Sequence, residues 1–517
     1  MNKIGFKNFR RFKELKDLEY KGITFLVGRN NSGKSTLVKA LILISNYFKS
    51  DNIFQFPFGN SVLEDANIVT FGRALCRNAK EREIEFSQSI ENYSIVITIG
   101  GEPEMTYGFV RTLKITETTG MIEYSFDLLS KTLRIAKLNG IQINLSTTGK
   151  PIMELMDRIE EIKNYLATTI LKKTSREFIE LNSELSDLEE KIELLHEIQD
   201  ASAPEIHFTV EGEFDLGMSL VDIVRTVISN TKSSHDIEFK KSQEGTEVSE
   251  IFDKLRGFKE YNPDRFETTF EHFFNMIRNF SIEYLPASTA KQSALFAIRD
   301  KNNALAQAIH ETYQLKLTKG EKELLFIEKW MKKFEIGDVF EINMFAGEAY
   351  EFKVKSHEVE IHLADKGMGS VQAMLIILRI ACIIRGVRNQ IYESGNIGSH
   401  LIVIEEPELN LHPALQSILA ELFLEANQHY GLNFIVETHS EYILRRTQVL
   451  VANNEFAKAP NDNPFTVCYF VKEIDQQPYA MTYLEDGTFN RNFGDGFFDE
   501  ASASTLELIK LRRTNKN

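Results

Sequence analysis

Residues Gly28 to Thr36, which read Gly-Arg-Asn-Asn-Ser-Gly-Lys-Ser-Thr, restrict the fold of this chain more than any other stretch. They fit the pattern G-x-x-x-x-G-K-[ST], in which a glycine-rich turn opens a helix. The preceding run Ile23–Val27 is typical of a buried strand, and Leu37–Ile44 of an apolar helix. A strand, such a turn and a helix start present main-chain N–H groups to an anion. The sequence therefore predicts a phosphate-binding loop.

The same pattern assigns roles inside the loop. Lys34 is expected to reach the β- and γ-phosphates of a nucleotide, and Ser35 to hold Mg²⁺. The sequence contains no Asn-Lys-x-Asp guanine motif, so ATP is expected rather than GTP. The predicted nucleotide-binding residues of the loop are Gly28, Asn30, Asn31, Ser32, Gly33, Lys34, Ser35 and Thr36.

Two later apolar runs, each ending in polar residues, predict the other half of the site. Leu401–Ile404 leads into Glu405 and Glu406, and Asn433–Val436 leads towards His439. Since side chains alternate along a strand, Glu405 and Glu406 are expected to point in different directions. One carboxylate would hold Mg²⁺ through water and the other would orient the attacking water. His439, at the carboxyl edge of a parallel sheet, is expected to hydrogen-bond the γ-phosphate.

A second glycine–serine turn precedes the most apolar helix of the chain. Gly367, Gly369 and Ser370 come shortly before the run Met374–Val387. A turn of this kind at a helix start is another predicted anion-binding element. The run is too short for a membrane span and is interrupted by Arg379, so we expect a buried helix.

Periodicity divides the rest of the chain. Residues 93–145 contain apolar, strand-like runs with glycine between them, which predicts an antiparallel sheet. From Leu155 to Leu195 the apolar residues recur at heptad spacing, with a break in the middle. Residues 1–150 and 281–517 are therefore predicted to form a head, and 151–280 a helical arm. Two arrangements of the arm stay open: a projecting coiled coil, about 70 Å long if residues 152–200 form one helix, and a helical insertion packed on the head.

Charge and cysteine usage narrow the class of protein. The net charge of −15 excludes a molecule that is basic throughout. Residues 1–49 carry an excess of Lys and Arg, which fits either a nucleic-acid face or an ordinary solvated surface. The 3 cysteines have no paired or metal-ligand spacing. With a charged N-terminus that lacks a signal-peptide core, this predicts a cytoplasmic location.

Together, and in this order, the motifs resemble the ABC-type ATPases of the SMC, RecF and OLD kind. The matching segments are Gly28–Thr36 for Walker A, Asp365–Gln372 for a variant signature motif, Leu401–Glu406 for Walker B, Asn410–Pro413 for the D-loop and His439 for the switch histidine. The resemblance implies an α/β fold, an ABC-type P-loop head of mixed sheet plus antiparallel β lobe, with a helical, coiled-coil-like insertion.

The resemblance also implies roles for these residues. Ser35 and Glu405 would hold Mg²⁺, and Glu406 and His439 would be catalytic. The signature residues Gly367, Gly369 and Ser370 would meet the ATP of a second subunit in a head-to-head homodimer, which can pair again into a dimer of dimers. Two departures stand out. Glu405 occupies the usual Asp position of Walker B, and the signature lacks the usual Ser-Gly-Gly.

The short head and modest arm look like the bacterial anti-phage ATPases of the PtuA family, from Septu and retron-Septu systems. That resemblance implies an HNH nuclease of the PtuB family as partner and, in retrons, a reverse transcriptase with its msDNA. The chain would then be an ATPase that gates a separate nuclease. The segment after His439 is too short for the Toprim domain of OLD nucleases and shows no His-Asn-His constellation. The chain itself is therefore not expected to cut nucleic acid.

Two other functions use the same ATPase head. An SMC- or RecF-like DNA-repair ATPase that acts on DNA directly is the alternative. A transporter ATPase subunit is disfavoured, because Lys34 and Glu405 are much farther apart in the sequence than in a compact transport head.

Overall fold

The structure is a computed structural model. It describes residues 2–50, 52–59, 68–142, 149–168, 176–200, 205–215, 217–234, 237–241, 264–287, 291–301, 303–356, 359–394, 400–454, 463–473, 476–493 and 504–509. Two compact units are present. The first comprises residues 1–91, 96–110 and 275–517, and the second residues 92–95 and 111–274.

The strands and helices are numbered in chain order. The strands are β1 (Asn2–Phe9), β2 (Phe12–Tyr20), β3 (Ile23–Gly28), β4 (Gln55–Pro57), β5 (Glu83–Ile90), β6 (Tyr93–Gly100), β7 (Tyr107–Glu117), β8 (Ile122–Asp127), β9 (Thr132–Gln142), β10 (Glu205–Glu213), β11 (Ile237–Lys241), β12 (Ser281–Leu285), β13 (Leu295–Ala297), β14 (Val339–Phe345), β15 (Ala349–Ser356), β16 (Val359–His362), β17 (His400–Glu405), β18 (Asn433–Glu437), β19 (Phe465–Phe470) and β20 (Tyr479–Met481). The helices are α1 (Lys34–Lys49), α2 (Phe71–Ala74), α3 (Gly149–Thr168), α4 (Arg176–Asp200), α5 (Leu220–Ser234), α6 (Asp264–Asn279), α7 (Ala304–Gln314), α8 (Lys322–Lys333), α9 (Met368–Ser394), α10 (Pro413–Tyr430) and α11 (Glu441–Ala452).

A mixed sheet organises the first unit. Its strand order is β12-β17-β18-β3-β19-β20, with parallel pairing from β12 to β19 and an antiparallel β20 at the edge. All six residues of β3 are buried, as expected for a parallel strand covered on both faces. Because β17, β18 and β3 are parallel neighbours, their carboxyl ends lie at one edge of the sheet. The predicted site residues follow these ends.

Helix α9 is the central helix of the first unit. It packs against α7 and α8, and its residues Met374 and Ile377 are fully buried. Among the described residues, its segment Met368–Gln390 is the one helix long and apolar enough to cross a membrane by length and composition, and 67% of that apolar window is buried inside the fold. The prediction of a buried core helix is confirmed.

The first unit also holds antiparallel strands. β1 pairs with β2 on one side and with β5 on the other, and β4 pairs with the start of β7. Aromatic rings fill the space between these strands and α1: Phe9 contacts Phe86 with ring centroids 4.9 Å apart, and Tyr47 stacks on Phe56 at 5.3 Å. Such pairs add to the apolar burial that holds β1 in place. The turn after β1 carries Arg10 to the edge of the phosphate loop.

The second unit is built on an antiparallel sheet. The last residues of β7 pair with β8, and β9, β10 and β11 follow in that order. Helix α5 lies on β9 and β10, and α6 contributes Phe270, whose ring is 4.9 Å from that of Tyr124. The Tyr124 hydroxyl donates to the Phe266 carbonyl at 2.6 Å. Within residues 93–145, the strands predicted over 93–99, 107–116 and 121–128 are confirmed as β6, β7 and β8. A fourth strand, predicted over 141–145, overlaps β9 only at residues 141–142, and residues 143–145 lie outside the described residues.

The heptad segment forms two helices and not one. α3 and α4 are linked by the Arg158–Glu184 ion pair at 3.0 Å and by the Tyr165 hydroxyl, which donates to Glu177 at 3.0 Å. A single helix over 152–200 is therefore wrong, because the heptad spacing stops between Leu166 and Phe178.

Helix α5 packs on the antiparallel sheet through Val227, next to Gly212. The strands of residues 111–142 group with the helical segment in the second unit. The α/β fold class with an antiparallel lobe and a helical insertion is confirmed.

Candidate functional site

The phosphate loop has the backbone that its glycines predict. Gly33 has φ of 104°, and a Cβ at this position would collide with the ring of Phe12. Gly33 caps α1, and its carbonyl accepts from the Thr36 N–H at 3.0 Å. Asn31 also has positive φ, 63°, and its carbonyl accepts from the Arg11 guanidinium. The first-turn N–H groups of α1 therefore open towards the loop, as anion binding requires.

Lys34 and Ser35 start α1 and face an acidic residue that the sequence analysis did not name. The buried Lys34 ammonium donates to the carbonyls of Gly28 and Arg29 at 3.1 and 3.2 Å and lies 3.7 Å from Oε1 of Glu437. The Ser35 hydroxyl is 2.9 Å from Oε2 and 3.1 Å from Oε1 of Glu437. Burial lowers the pKa of Lys34, and Glu437 opposes that effect.

Glu437 is the last residue of β18 and is only 6% exposed. Burial raises its pKa to about 7, with Glu405 and Glu406 adding to the rise and Lys34 opposing it. Glu405 is its register partner on the neighbouring β17. Burial raises the pKa of Glu405 too, while the Tyr284 hydroxyl and Lys39 act against the rise. This end of the site therefore concentrates carboxyl groups whose ionised forms are destabilised by burial and by one another.

Glu406 does not continue strand β17, although the prediction treated Glu405 and Glu406 as alternating residues of one strand. β17 ends at Glu405, and Glu406 has φ of 45° with its N–H donating to the Glu437 carbonyl at 2.8 Å. A left-handed backbone, and not strand alternation, turns its side chain away from Glu405. The side chain is 34% exposed and lies 4.0 Å from Nε2 of His439. Glu406 and His439 thus lie together at the open side of the edge.

The main chain of His439 is hydrogen-bonded to the side chain of Glu408. Its main-chain N–H donates to Oε1 of Glu408 at 2.7 Å. Burial lowers the pKa of His439, as does Lys34, and Glu406 opposes them. Ser440 then caps α11 by accepting from the Ile443 N–H at 3.3 Å, and its hydroxyl donates to Gln416 at 2.6 Å. The carboxylates of Glu406 and Glu408 therefore bracket the switch-histidine position.

A cavity of about 840 Å³ lies over the loop, with basic residues along its other side. Its lining residues are Arg10, Arg11, Asn31, Ser32, Gly33, Lys34, Ser35, Thr36, Lys39, Gly72, Arg73, Leu75, Cys76, Arg77, Asn78 and Glu437. Burial lowers the pKa of Arg10 and of Lys39, and the neighbouring Arg73 lowers both further. The cations are thus destabilised by one another, and a bound polyanion would relieve this repulsion.

The predicted signature residues lie at the start of α9 and do not line this cavity. Ser370 donates its N–H to the Gly367 carbonyl at 2.9 Å. A Cβ on Gly369 would come within 2.6 Å of the Asn410 carbonyl oxygen, so signature and D-loop segments touch. Asn30 is an exposed loop residue. Within one chain, the residues predicted as Walker A, Walker B and switch histidine lie close together: the Glu406 N–H donates to the Glu437 carbonyl, and Glu437 contacts Ser35. Glu405, Glu406 and His439 do not line the cavity either.

Glu437 is the functional candidate that the sequence analysis missed. It lies two residues before His439, in the run whose end was recognised. Like Glu405, Glu437 is a carboxylate at the end of a buried parallel strand. The position of Glu437 could have been found by aligning the ends of the predicted strands. Its contact with Ser35 could not be found from the sequence.

The residues present fit a Mg²⁺-bound nucleotide. Hydroxyl and carboxylate oxygens are the ligands that Mg²⁺ prefers, and Ser35, Glu405 and Glu437 offer them. Oε1 of Glu405 is buried and, among the residues that the structure describes, has no hydrogen-bond partner. A cation or its water shell would satisfy that oxygen.

The chain is similar to known proteins along most of its length. The family model described as AAA ATPase domain matches residues 1–444. Endonuclease GajA of Bacillus cereus (strain HuB5-5) is 23% identical over 459 residues, which cover 86% of this chain and 56% of that protein. The chain therefore spans little more than half the length of this relative.

Solved structures give distant similarities. The Smc head domain with an extended coiled coil from Pyrococcus furiosus, bound to the C-terminal domain of ScpA, has 12% identity and a TM-score of 0.35, with 99% of this chain and 100% of that chain covered. The SMC head domain from Thermotoga maritima has 10% identity and a TM-score of 0.29, with 90% and 93% covered.

Proposed function

Because the chain belongs to the AAA ATPase domain family, we propose that it is an ATP-hydrolysing switch that controls a separate nuclease in a bacterial anti-phage complex. The observation that carries the ATPase part is the meeting of Lys34, Ser35, Glu406 and His439 at one edge of a parallel sheet. A phosphate loop, a cation-holding hydroxyl and a water-orienting carboxylate are the parts that phosphoryl transfer to water needs.

Each residue has a defined task in this proposal. Lys34 and the N-terminal N–H groups of α1 bind the β- and γ-phosphates. Ser35 and Glu405 would hold Mg²⁺, which would supply positive charge to offset that of the phosphates. Glu406, on the exposed side of the edge, accepts a proton from the attacking water. His439 donates a ring N–H to an oxygen of the γ-phosphate.

A second copy of the chain completes the site. The signature residues Gly367, Gly369 and Ser370 lie away from the cavity of their own chain, which supports contact with the nucleotide of a partner. We propose a head-to-head homodimer with two ATP molecules at the interface, able to pair into a dimer of dimers. ATP would then control assembly through the contact between these two surfaces.

The nuclease part of the proposal is drawn from the motif resemblance. An HNH nuclease of the PtuB family would be the partner and, in a retron, a reverse transcriptase with msDNA would join them in the cytoplasm. The similarity to Endonuclease GajA supports a link to nucleic-acid cleavage, and the chain spans 56% of that relative. Co-purification from the native host, followed by identification of the bound proteins, tests this part. Recovery without any nuclease contradicts it.

A second candidate is an ATPase that acts on DNA directly. The basic residues Arg10, Arg73 and Arg77 along the cavity favour it, because Arg clusters bind phosphates. The two functions differ in one measurement. Stimulation of ATP hydrolysis by duplex DNA, in the absence of any partner protein, supports the second candidate and not the first.

The ATPase assignment itself is tested with Lys34→Ala. The variant removes the buried ammonium that contacts the phosphates, so ATP binding measured by calorimetry should be lost. Lys329→Ala, which removes a surface lysine paired with Glu425 at 2.5 Å, is the matched control and should bind normally. Equal ATP affinity in Lys34→Ala and the native protein would refute the assignment.

A further inference from the structure

We propose that Glu437 makes nucleotide binding at this site depend on a divalent cation: it holds Ser35 and Lys34 when no nucleotide is bound, and becomes an additional carboxylate for the cation when Mg²⁺ and ATP enter. This inference rests on the proposed ATP site. It assigns a role to a residue that the Walker A and Walker B patterns do not include.

The contacts of Glu437 place it where the cation would bind. Both of its oxygens lie within 3.1 Å of the Ser35 hydroxyl, and Oε1 is 3.7 Å from the Lys34 ammonium. Ser35 and Lys34 are the two side chains of the loop that a Mg²⁺-bound triphosphate needs. Glu437 therefore competes with the nucleotide for both.

The neighbouring strand adds a second carboxylate. Glu405 is the register partner of Glu437, and its buried Oε1 has no hydrogen-bond partner within the described part of the chain. Two carboxylates side by side at a buried sheet edge repel one another and any arriving phosphate. A divalent cation between them and the Ser35 hydroxyl would reverse that repulsion.

The charge of Glu437 predicts how ATP binding differs without and with Mg²⁺. Without a cation, a triphosphate must displace Glu437 from Lys34 and then lie beside its negative charge. In the presence of Mg²⁺, the Ser35 hydroxyl would bind the cation, and Glu437 would be attracted to it rather than repel the phosphates. The negative charge of Glu437 should thus weaken ATP binding without Mg²⁺ and strengthen it with Mg²⁺.

The experiment measures the ATP dissociation constant of the full chain with excess Mg²⁺ and with EDTA. The native protein should bind ATP at least about tenfold more tightly with Mg²⁺, as expected for a charge effect in a buried site. Glu437→Gln keeps the shape and can still accept from Ser35, but it loses the charge. The ratio of the ATP dissociation constant in EDTA to that in Mg²⁺ should be about tenfold smaller in this variant than in the native protein. The variant should bind ATP more tightly in EDTA and more weakly with Mg²⁺.

Two further variants complete the design. Glu425→Gln changes an ion-paired glutamate of α10 that lies outside the cavity, and it should keep the native Mg²⁺ dependence. Glu437→Asp retains the charge on a shorter side chain, and it should keep most of that dependence. If Glu437→Gln fails to fold, as judged by thermal unfolding, the comparison of Glu437→Asp with the native protein decides.

The outcomes separate this inference from the proposed function. Equal Mg²⁺ dependence in Glu437→Gln and the native protein overturns the role of Glu437 while ATP binding stands. Complete loss of the dependence in Glu437→Asp overturns that role as well, since the charge would then not be its source. A native protein that binds no nucleotide under either condition, like Lys34→Ala, overturns the proposed ATPase instead.

Discussion

The main-chain N–H of His439 donates to Oε1 of Glu408 across 2.7 Å, which joins the turn after β17 to the turn after β18. Burial raises the pKa of Glu408, and the hydrogen bond from His439 acts against that rise. Glu408, like Glu406 and His439, is not among the residues that line the cavity. Its hydrogen bond fixes the main chain of His439 relative to the turn that carries Glu406. The loop connections therefore set the distance between His439 and Glu406.

We expect Glu408→Ala to slow ATP hydrolysis while ATP affinity changes little. Loss of the hydrogen bond frees His439 to move, and misplacement of a contacting group by about 1 Å costs on the order of 10²-fold in rate. Glu408→Gln, whose carbonyl can still accept from the N–H, should recover most of the rate. Steady-state kinetics and calorimetry measure the two effects. Equal loss in both variants would argue against a positioning role.

Glu406→Gln should keep ATP binding and lose hydrolysis. The amide preserves the shape of the side chain but accepts no proton from water, and general-base catalysis contributes about 10²–10⁴-fold. Trapped ATP should then stabilise the dimer, which light scattering or sedimentation can detect. Glu441→Gln, an exposed change at the start of α11, is the control. Unchanged turnover in Glu406→Gln would show that another carboxylate acts as the general base.

The nucleotide-free protein should become less stable as the pH rises through the pKa of Glu437. Its pKa of about 7 in the fold is above the value of 4.5 that an unburied Glu has. Between these values the folded state binds more protons than the unfolded state, so the free energy of unfolding falls as pH increases. Glu437→Gln removes this contribution. Thermal unfolding in EDTA should show the variant melting above the native protein at pH 8, with a smaller gap at pH 5.

Gly33→Ala should abolish nucleotide binding. The added Cβ would collide with Phe12, and φ of 104° is strained for any residue with a side chain. The matched control is Gly386→Ala in α9, where nothing lies within 4 Å of the added Cβ. That change should leave binding intact and raise stability slightly, since Ala favours helix. Normal ATP affinity in Gly33→Ala would contradict the phosphate-loop geometry.

The purified chain alone should not degrade DNA or RNA. The best remaining acidic residues outside the ATP site, Asp495, Asp499 and Glu500, lie outside the described residues. Incubation with plasmid, single strands and tRNA, across Mg²⁺ and Mn²⁺, measures this directly. Cleavage that persists in Glu406→Gln and disappears in Asp499→Ala would make the chain itself the nuclease.

The local elements of the site could be predicted from the sequence because each is a short-range pattern. The glycines of the loop need their backbone angles wherever they occur, and the runs Ile23–Val27, Leu401–Ile404 and Asn433–Val436 are too apolar to lie outside a covered sheet. Each run became a buried strand with polar residues at its carboxyl end. The apolar run Met374–Val387, interrupted by Arg379, likewise identified α9 as a core helix.

Strand order and register were decided by the tertiary structure. Ser35 and Glu437 are distant in the sequence, and they meet because β18 lies between β17 and β3 in the sheet. The unit boundary has the same origin: β9 pairs with β10, which follows the helical segment in the chain. Pairing of this kind depends on side-chain packing between distant segments, and no local period encodes it. The sequence alone determined the chemistry at each strand end, and the fold decided which ends meet.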